Sequence, residues 1–124
     1  MNNLDIKIRY LETGLVEVKV IEIGDWIDLR SAESVCLYKG EKALLRLGVA
    51  MKLPDGYEAI LAPRSSTFKN YGIIQTNGIG IIDSTYCGNN DEWMMPVLAT
   101  REVMIHKNDR ICQFRIVKNQ PKIE

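Results

Sequence analysis

Residues 71–83 read YGIIQTNGIGIID, and this segment carries the strongest fold signal in the chain. Two β-branched runs, Gly72-Ile73-Ile74 and Ile79 to Ile82, flank the pair Asn77-Gly78. An Asn-Gly pair tolerates the positive φ angles of a type I′ turn, so the spacing predicts a β-hairpin whose two strands meet here. Outward from this point the apolar period stays near two, the period of a strand that buries one face. Within Leu15 to Ile23, Val16, Val18 and Val20 alternate with Glu17 and Lys19, and short runs recur at Val35 to Tyr38, Leu44 to Met51, Tyr57 to Ala62, Trp93 to Ala99 and Arg110 to Val117. Turn signals such as Tyr38-Lys39-Gly40, Leu53-Pro54-Asp55-Gly56 and Lys107-Asn108-Asp109 separate them, supplying Gly, Pro, Asn or Asp where the backbone reverses. The pattern predicts about eight to ten short strands in an all-β sandwich, barrel or jelly roll. Arg64 to Tyr71 has room for one short helix.

A chain of 124 residues is expected to form one domain, residues 1–124, with a single hydrophobic core. Sixteen basic and sixteen acidic side chains cancel, so no overall field gathers nucleic acid or anionic lipid, and a polyanionic ligand needs a local cluster. The N-terminus MNNLDIKIRY carries charges where a signal peptide has its apolar run, so the expected location is cytoplasmic. Cys36, Cys87 and Cys112 are widely spaced and lack any CxxC pair. They read as reduced, mostly buried thiols. His106 is the one histidine. A Ser-His-Asp triad is possible on paper, a His-rich zinc site is not, and a surface or rim histidine is the plain reading.

Three segments place polar and small residues inside apolar strand patterns. In Ala62-Pro63-Arg64-Ser65-Ser66-Thr67 the arginine offers a planar fork for phosphate oxygens, and neighbouring hydroxyls can close around the same anion. The alternative is a polar loop with one arginine. In Asn77 to Gly88 a carboxylate, Asp83, ends an apolar strand and Tyr86 follows three residues later. A carboxylate so placed can orient or deprotonate a water, and an aromatic ring can pack on a sugar or base; otherwise Asp83 caps a turn and Tyr86 is core. The glycines resemble a fragment of a dinucleotide fingerprint but lack its third glycine and its helix. In Asp109 to Val117, alternation sends Cys112, Phe114 and Ile116 to one face and Gln113 and Arg115 to the other. Gln113 can donate to an anion, or simply lie on a solvated edge. No P-loop GxxxxGK[ST] occurs.

Taken in order, these segments resemble the motifs of trimeric dUTPases, the enzymes that hydrolyse deoxyuridine triphosphate. The first motif reads Asp28-Leu29-Arg30-Ser31-Ala32-Glu33, the second Pro63-Arg64-Ser65-Ser66, the third Gly80-Ile81-Ile82-Asp83-Ser84-Thr85-Tyr86-Cys87-Gly88, and the fourth Asp109-Arg110-Ile111-Cys112-Gln113. The connecting phrase from Leu47 to Tyr57 is similar too. The resemblance implies a jelly-roll protomer, a homotrimer with active sites at subunit interfaces, and Mg²⁺-dependent hydrolysis of dUTP to dUMP and pyrophosphate. Such a reaction limits uracil incorporation into DNA and supplies dUMP for thymidylate synthesis.

By the same resemblance, Arg64, Ser65, Ser66 and Gln113 hold the triphosphate, while a neighbouring subunit's hairpin holds the nucleoside. The Asn77 amide and strand backbone near Ile81 and Ile82 match the uracil edge. Tyr86 packs on deoxyribose, Asp83 holds the 3′-hydroxyl and aligns the attacking water, and Asp28 reaches the metal through water. Departures are Ser66 in place of glycine, Thr85 and Cys87 in place of acidic and basic residues, and Trp26-Ile27 ahead of Asp28. The family's Gly-rich fifth motif has no counterpart before Glu124, and a chain without it is expected to lose activity more than folding. Two alternatives stay open at this point: a dCTP deaminase-like enzyme of the same fold, and a non-catalytic dUTP-binding regulatory trimer.

Overall fold

The computed structural model describes residues 5–19 and 25–124. Among them are eleven strands and one short helix. The strands are β1 (Lys7–Tyr10), β2 (Ile27–Arg30), β3 (Val35–Leu37), β4 (Lys42–Arg46), β5 (Val49–Lys52), β6 (Tyr57–Pro63), β7 (Ile73–Gln75), β8 (Gly80–Ile82), β9 (Met94–Ala99), β10 (Val103–Ile105) and β11 (Arg110–Lys118), with α1 (Thr67–Tyr71) between β6 and β7. All paired strands are antiparallel. A four-stranded sheet runs β2-β11-β6-β8 and a three-stranded sheet β4-β9-β7, with pairs β1-β5 and β10-β3 beside them. The result is a jelly-roll-like sandwich.

Alternation explains why these residues form these layers. In β9, Met95, Val97 and Ala99 are buried while the residues between them face outward. In β6, Ala59 and Leu61 turn inward. The core contains Trp93 packed edge-on against Phe114, with ring centroids 5.3 Å apart at 87°, an arrangement aromatic quadrupoles favour. Strand β11 follows the expected faces, with Cys112 and Phe114 buried and Arg115 exposed. One departure matters for the site. The register between β11 and β2 shifts between Arg110 and Cys112, so Ile111 and Cys112 are both buried. This bulge turns Arg110 to the face of Asp28 and Gln113, which plain alternation would deny it.

Several sequence expectations need correction. Asn77-Gly78 does form a turn, with Gly78 at φ 72° and a bond from its N–H to the Gln75 carbonyl at 3.2 Å. The flanking strands do not pair with each other: β7 joins β9 and β8 joins β6, in different sheets. Asn77 is not among the positive-φ residues, so the turn is not type I′. It carries the chain across the sandwich instead of closing a hairpin.

The run Leu44 to Met51 is broken into β4 and β5 at Leu47-Gly48. Gly48 has φ 69°, and a Cβ there would lie 2.7 Å from Leu15 Cδ2, so glycine is required on both counts. Residues 15–19 form no strand, and the remainder of the predicted Leu15 to Ile23 strand lies outside the described residues. Strand β1, unpredicted, pairs with β5. Of the cysteines only Cys112 is buried; Cys36 and Cys87 are exposed. Burial pushes the Cys112 thiol far above its usual range, which leaves it inert. His106 is exposed, as expected, 3.8 Å from Asp109. Among the described residues no helix is long and apolar enough to cross a membrane.

Candidate functional site

The predicted site residues fall into two groups. On the outward face of the larger sheet, register sets Ala62, Gln113 and Asp28 in a row across β6, β11 and β2. Arg64 follows the end of β6 and returns to this row: its Nε lies 3.0 Å from Asp28 Oδ1. Arg110, aimed by the bulge, places Nη1 3.5 Å from Asp28 Oδ2. The Asp28 carboxylate therefore stands between two guanidiniums, only 17% exposed. The loop after Arg64 is fixed by Thr67, whose hydroxyl accepts from the Arg64 N–H at 2.8 Å and donates to the Ile111 carbonyl at 2.9 Å. Gln113 Nε2 donates to the Pro63 carbonyl at 3.1 Å. Ser65 is exposed, and the Ser66 side chain makes no capping bond to α1, so both hydroxyls remain open to a ligand.

The second group lines an open cavity of about 470 Å³. Asn77, Ile81, Ile82, Asp83 and Tyr86 all border it, with Leu44, Leu61, Gly80, Thr85, Glu92, Trp93 and Met94. Strand β8 is a sheet edge, and an edge strand leaves alternate N–H and C=O groups without strand partners. Asp83 directly follows β8 and bends back on itself. Its Oδ1 accepts from the Thr85 N–H at 2.8 Å and from the Thr85 hydroxyl. These bonds, the hydroxyl first, hold the fully exposed carboxyl below the usual carboxylate range. Among the described residues Oδ2 carries no hydrogen bond. The Tyr86 hydroxyl donates to the Glu92 carbonyl at 3.0 Å, which pins the ring across the cavity mouth.

The two groups are far apart within one chain. Register sets Ala59 opposite Ile82 and Leu61 opposite Gly80, so Asp83 continues to the level of Glu58, while Arg64 lies past the other end of β6. Six residues of extended chain separate those levels, roughly 20 Å at about 3.3 Å per residue. Each group is assembled within one chain, and Asp83 and Arg64 do not meet there.

Sequence reasoning missed Arg110, Thr67 and Gln75. Arg110 lies inside the fourth motif, but its direction depends on a bulge that alternation does not reveal. Thr67 and Gln75 are buried polar residues, 0% and 4% exposed; Gln75, directly after Ile73-Ile74, offered a polar residue ending an apolar run as a signal, whereas Thr67 stands among mostly polar neighbours and offered none.

Residues 27–124 match the dUTPase family model. The chain is 54% identical over 121 residues, 98% of its length and 85% of the relative's, to the SPbeta prophage-derived deoxyuridine 5′-triphosphate nucleotidohydrolase of Bacillus subtilis strain 168. It is 37% identical over 115 residues to a deoxyuridine 5′-triphosphate nucleotidohydrolase of Thermobifida fusca, covering 90% of this chain and 63% of that one. Its fold is similar to a dUTPase from phage phi11 of S. aureus, with a TM-score of 0.84 at 20% identity over 97% of this chain and 95% of the other. The dUTPase from Streptococcus mutans aligns with a TM-score of 0.82 at 20% identity, over 94% and 98%. This chain belongs to the dUTPase family.

Proposed function

We propose that the protein hydrolyses dUTP to dUMP and pyrophosphate in the cytoplasm, as a homotrimer whose active sites join the phosphate cradle of one subunit to the nucleoside pocket of its neighbour. The observation that carries this reading is the separation along β6. Asp83, at the level of Glu58, and Arg64, past the other end of the strand, stand roughly 20 Å apart on one chain at about 3.3 Å per residue, and a second subunit would bring such a carboxylate to the cradle. The relatives matched are nucleotidohydrolases by name, which favours hydrolysis over deamination. In this reading residues 1–124 act as one β domain.

The geometry supports a role for each residue. Arg64 has spent Nε on Asp28 and Nη1 on the Arg110 carbonyl at 3.3 Å, which leaves Nη2 to meet phosphate oxygens. Ser65, Ser66 and the second amide proton of Gln113 complete the cradle. On the other side, the Asn77 amide and the free edge of β8 at Ile81 and Ile82 present donors and acceptors to the uracil edge, and Tyr86 packs on the sugar. Asp83 Oδ2 aligns the water that attacks the α-phosphorus and meets the 3′-hydroxyl. The Thr85 donors favour the ionised form of Asp83, the form that can orient the attacking water or take its proton.

The S. aureus phage phi11 enzyme coordinates a structural Mg(II) ion. Here, among the described residues, no three His, Cys, Asp or Glu side chains cluster as a metal cage. The cradle offers one carboxylate, Asp28, both of whose oxygens face guanidiniums. That donor set fits Mg²⁺ held mainly by phosphate oxygens and water, with Asp28 acting through a water. Bound there, the ion would neutralise charge on the phosphates. A subunit-mixing experiment tests the shared site. Arg64→Ala and Asp83→Asn proteins should each release little pyrophosphate from dUTP, and refolding them together should restore a fraction of wild-type activity. Mixtures as inactive as their components would show that each site is built within one subunit.

A further inference from the structure

Gln75 is buried on β7, 4% exposed, at a position where an apolar side chain would fill the core. Its Nε2 donates twice, to the Leu61 carbonyl at 3.2 Å and to Asn77 Oδ1 at 2.9 Å. Its own Oε1 is sealed from solvent with no partner among the described residues. A buried carbonyl left unpaired is costly, so the residue is a poor choice for packing alone.

The polarity of this chain of bonds is set by the backbone. The Leu61 carbonyl can only accept, so the Gln75 group facing it must be NH₂. Nε2 in turn presents its second hydrogen to Asn77, so the Asn77 atom facing it must be oxygen. That leaves Asn77 Nδ2 pointing away from Gln75. It crosses Gly80 at the cavity wall, where a Cβ would stand 3.5 Å from it. Uracil presents a carbonyl acceptor at the position where cytosine presents an amino donor. An amide free to rotate serves either base, while one fixed with NH₂ outward serves only uracil.

We propose that Gln75 is a positioning residue for base selection: it locks the Asn77 amide with its NH₂ toward the base and so turns an ambivalent carboxamide into a reader of uracil against cytosine. This rests on the placement of the base at Asn77 proposed above. Gln75 does not touch the nucleotide; it acts through Asn77.

The test reads binding without turnover. Wild-type protein titrated with dUMP and dCMP should prefer dUMP, and Gln75→Met, similar in volume without the donor, should narrow the affinity ratio by about tenfold, as expected where a hydrogen-bonding site loses its fixed polarity. With dUTP, KM should rise more than kcat falls. In an Asn77→Ala background the same substitution should leave the dUMP:dCMP ratio unmoved, because the coupling runs through that amide. A ratio unchanged in Gln75→Met, or equally changed in both backgrounds, would overturn the proposal, as would a wild type indifferent to the base. Wild-type protein that selects dUMP yet releases no pyrophosphate would refute hydrolysis while the Gln75 comparison still decides this inference. Should Gln75→Met not fold, wild-type amide exchange decides: Gln75 side-chain protons should exchange slowly and Asn77's should shift on adding dUMP, and rapid exchange at Gln75 would refute the lock.

Discussion

The half of the site proposed for phosphate is held by charge, with Asp28 at 3.0 Å from Arg64 and 3.5 Å from Arg110, whereas the half proposed for the base is held by neutral amides passing polarity from the Leu61 carbonyl through Gln75 to Asn77. Salt screens exposed charges over about 8 Å at physiological ionic strength; it leaves a relay of neutral amides almost untouched. The difference suits the ligands. A triphosphate is recognised by net charge, which tolerates small displacements, while uracil and cytosine differ only in the direction of hydrogen bonds. Discrimination between them requires groups whose direction is fixed in advance. Asp83 belongs to neither pattern: it is a charge, but one aimed by two neutral donors from Thr85.

The largest effect should come from removing that charge. Asp83→Asn keeps the shape of the pocket and, through its remaining carbonyl oxygen, can still accept from Thr85. It should retain nucleotide binding while turnover falls by about 10²-fold or more, the range for losing a positioned acid–base group. Single-turnover kinetics with dUTP, beside titration with dUMP, checks both. Unchanged turnover would remove Asp83 from the chemistry and leave the comparison of halves as one of binding alone.

A smaller effect, of opposite sign for binding, sharpens the charged half. Asp28→Asn deletes the negative charge between two guanidiniums, so inorganic pyrophosphate should bind more tightly, by up to about tenfold, and with a steeper dependence on salt. Turnover of dUTP should fall meanwhile, since Arg64 loses its anchor. Calorimetric titration at two ionic strengths distinguishes the outcomes: weaker pyrophosphate binding would mean that Asp28 matters chiefly as an orienting partner. Affinity for dUMP, governed by the neutral half, should move little.

How far this division could be seen in the sequence depends on what each feature requires. Strand faces were legible because burial repeats every two residues: Cys112 and Phe114 against Gln113 and Arg115 come straight from alternation. The candidate site residues stand out as motifs, since Arg64-Ser65-Ser66 and Asp83 to Tyr86 are contiguous. What failed was partnership. Asn77-Gly78 announces that the chain turns, but turn chemistry is local and does not say that β7 will pair with β9 and β8 with β6. The amide relay exists because those strands lie in different sheets, which brings Gln75 beneath the Leu61 carbonyl. Arg110 was hidden for a related reason: a bulge changes the parity of a strand without leaving a mark in its apolar pattern.

The smallest predicted effect isolates the one place where charge and neutral donors meet. Thr85→Val preserves side-chain volume and the backbone N–H bond to Asp83 Oδ1 but deletes the hydroxyl donor, the largest contribution to the lowered pKa of Asp83. The ionised carboxylate is the form that orients water, and donors that favour it let it persist to lower pH. With the hydroxyl gone the pKa rises toward the ordinary carboxylate range, so protonation sets in at higher pH and the acid limb of the kcat/KM profile moves upward. Near pH 8 the carboxyl is ionised in both proteins and the rates should differ by no more than about threefold. A pH–rate profile from pH 4 to 8 measures this directly. An acid limb that stays in place while the plateau falls would mean that Thr85 shapes the turn from Asp83 to Tyr86 but does not tune the charge at its start.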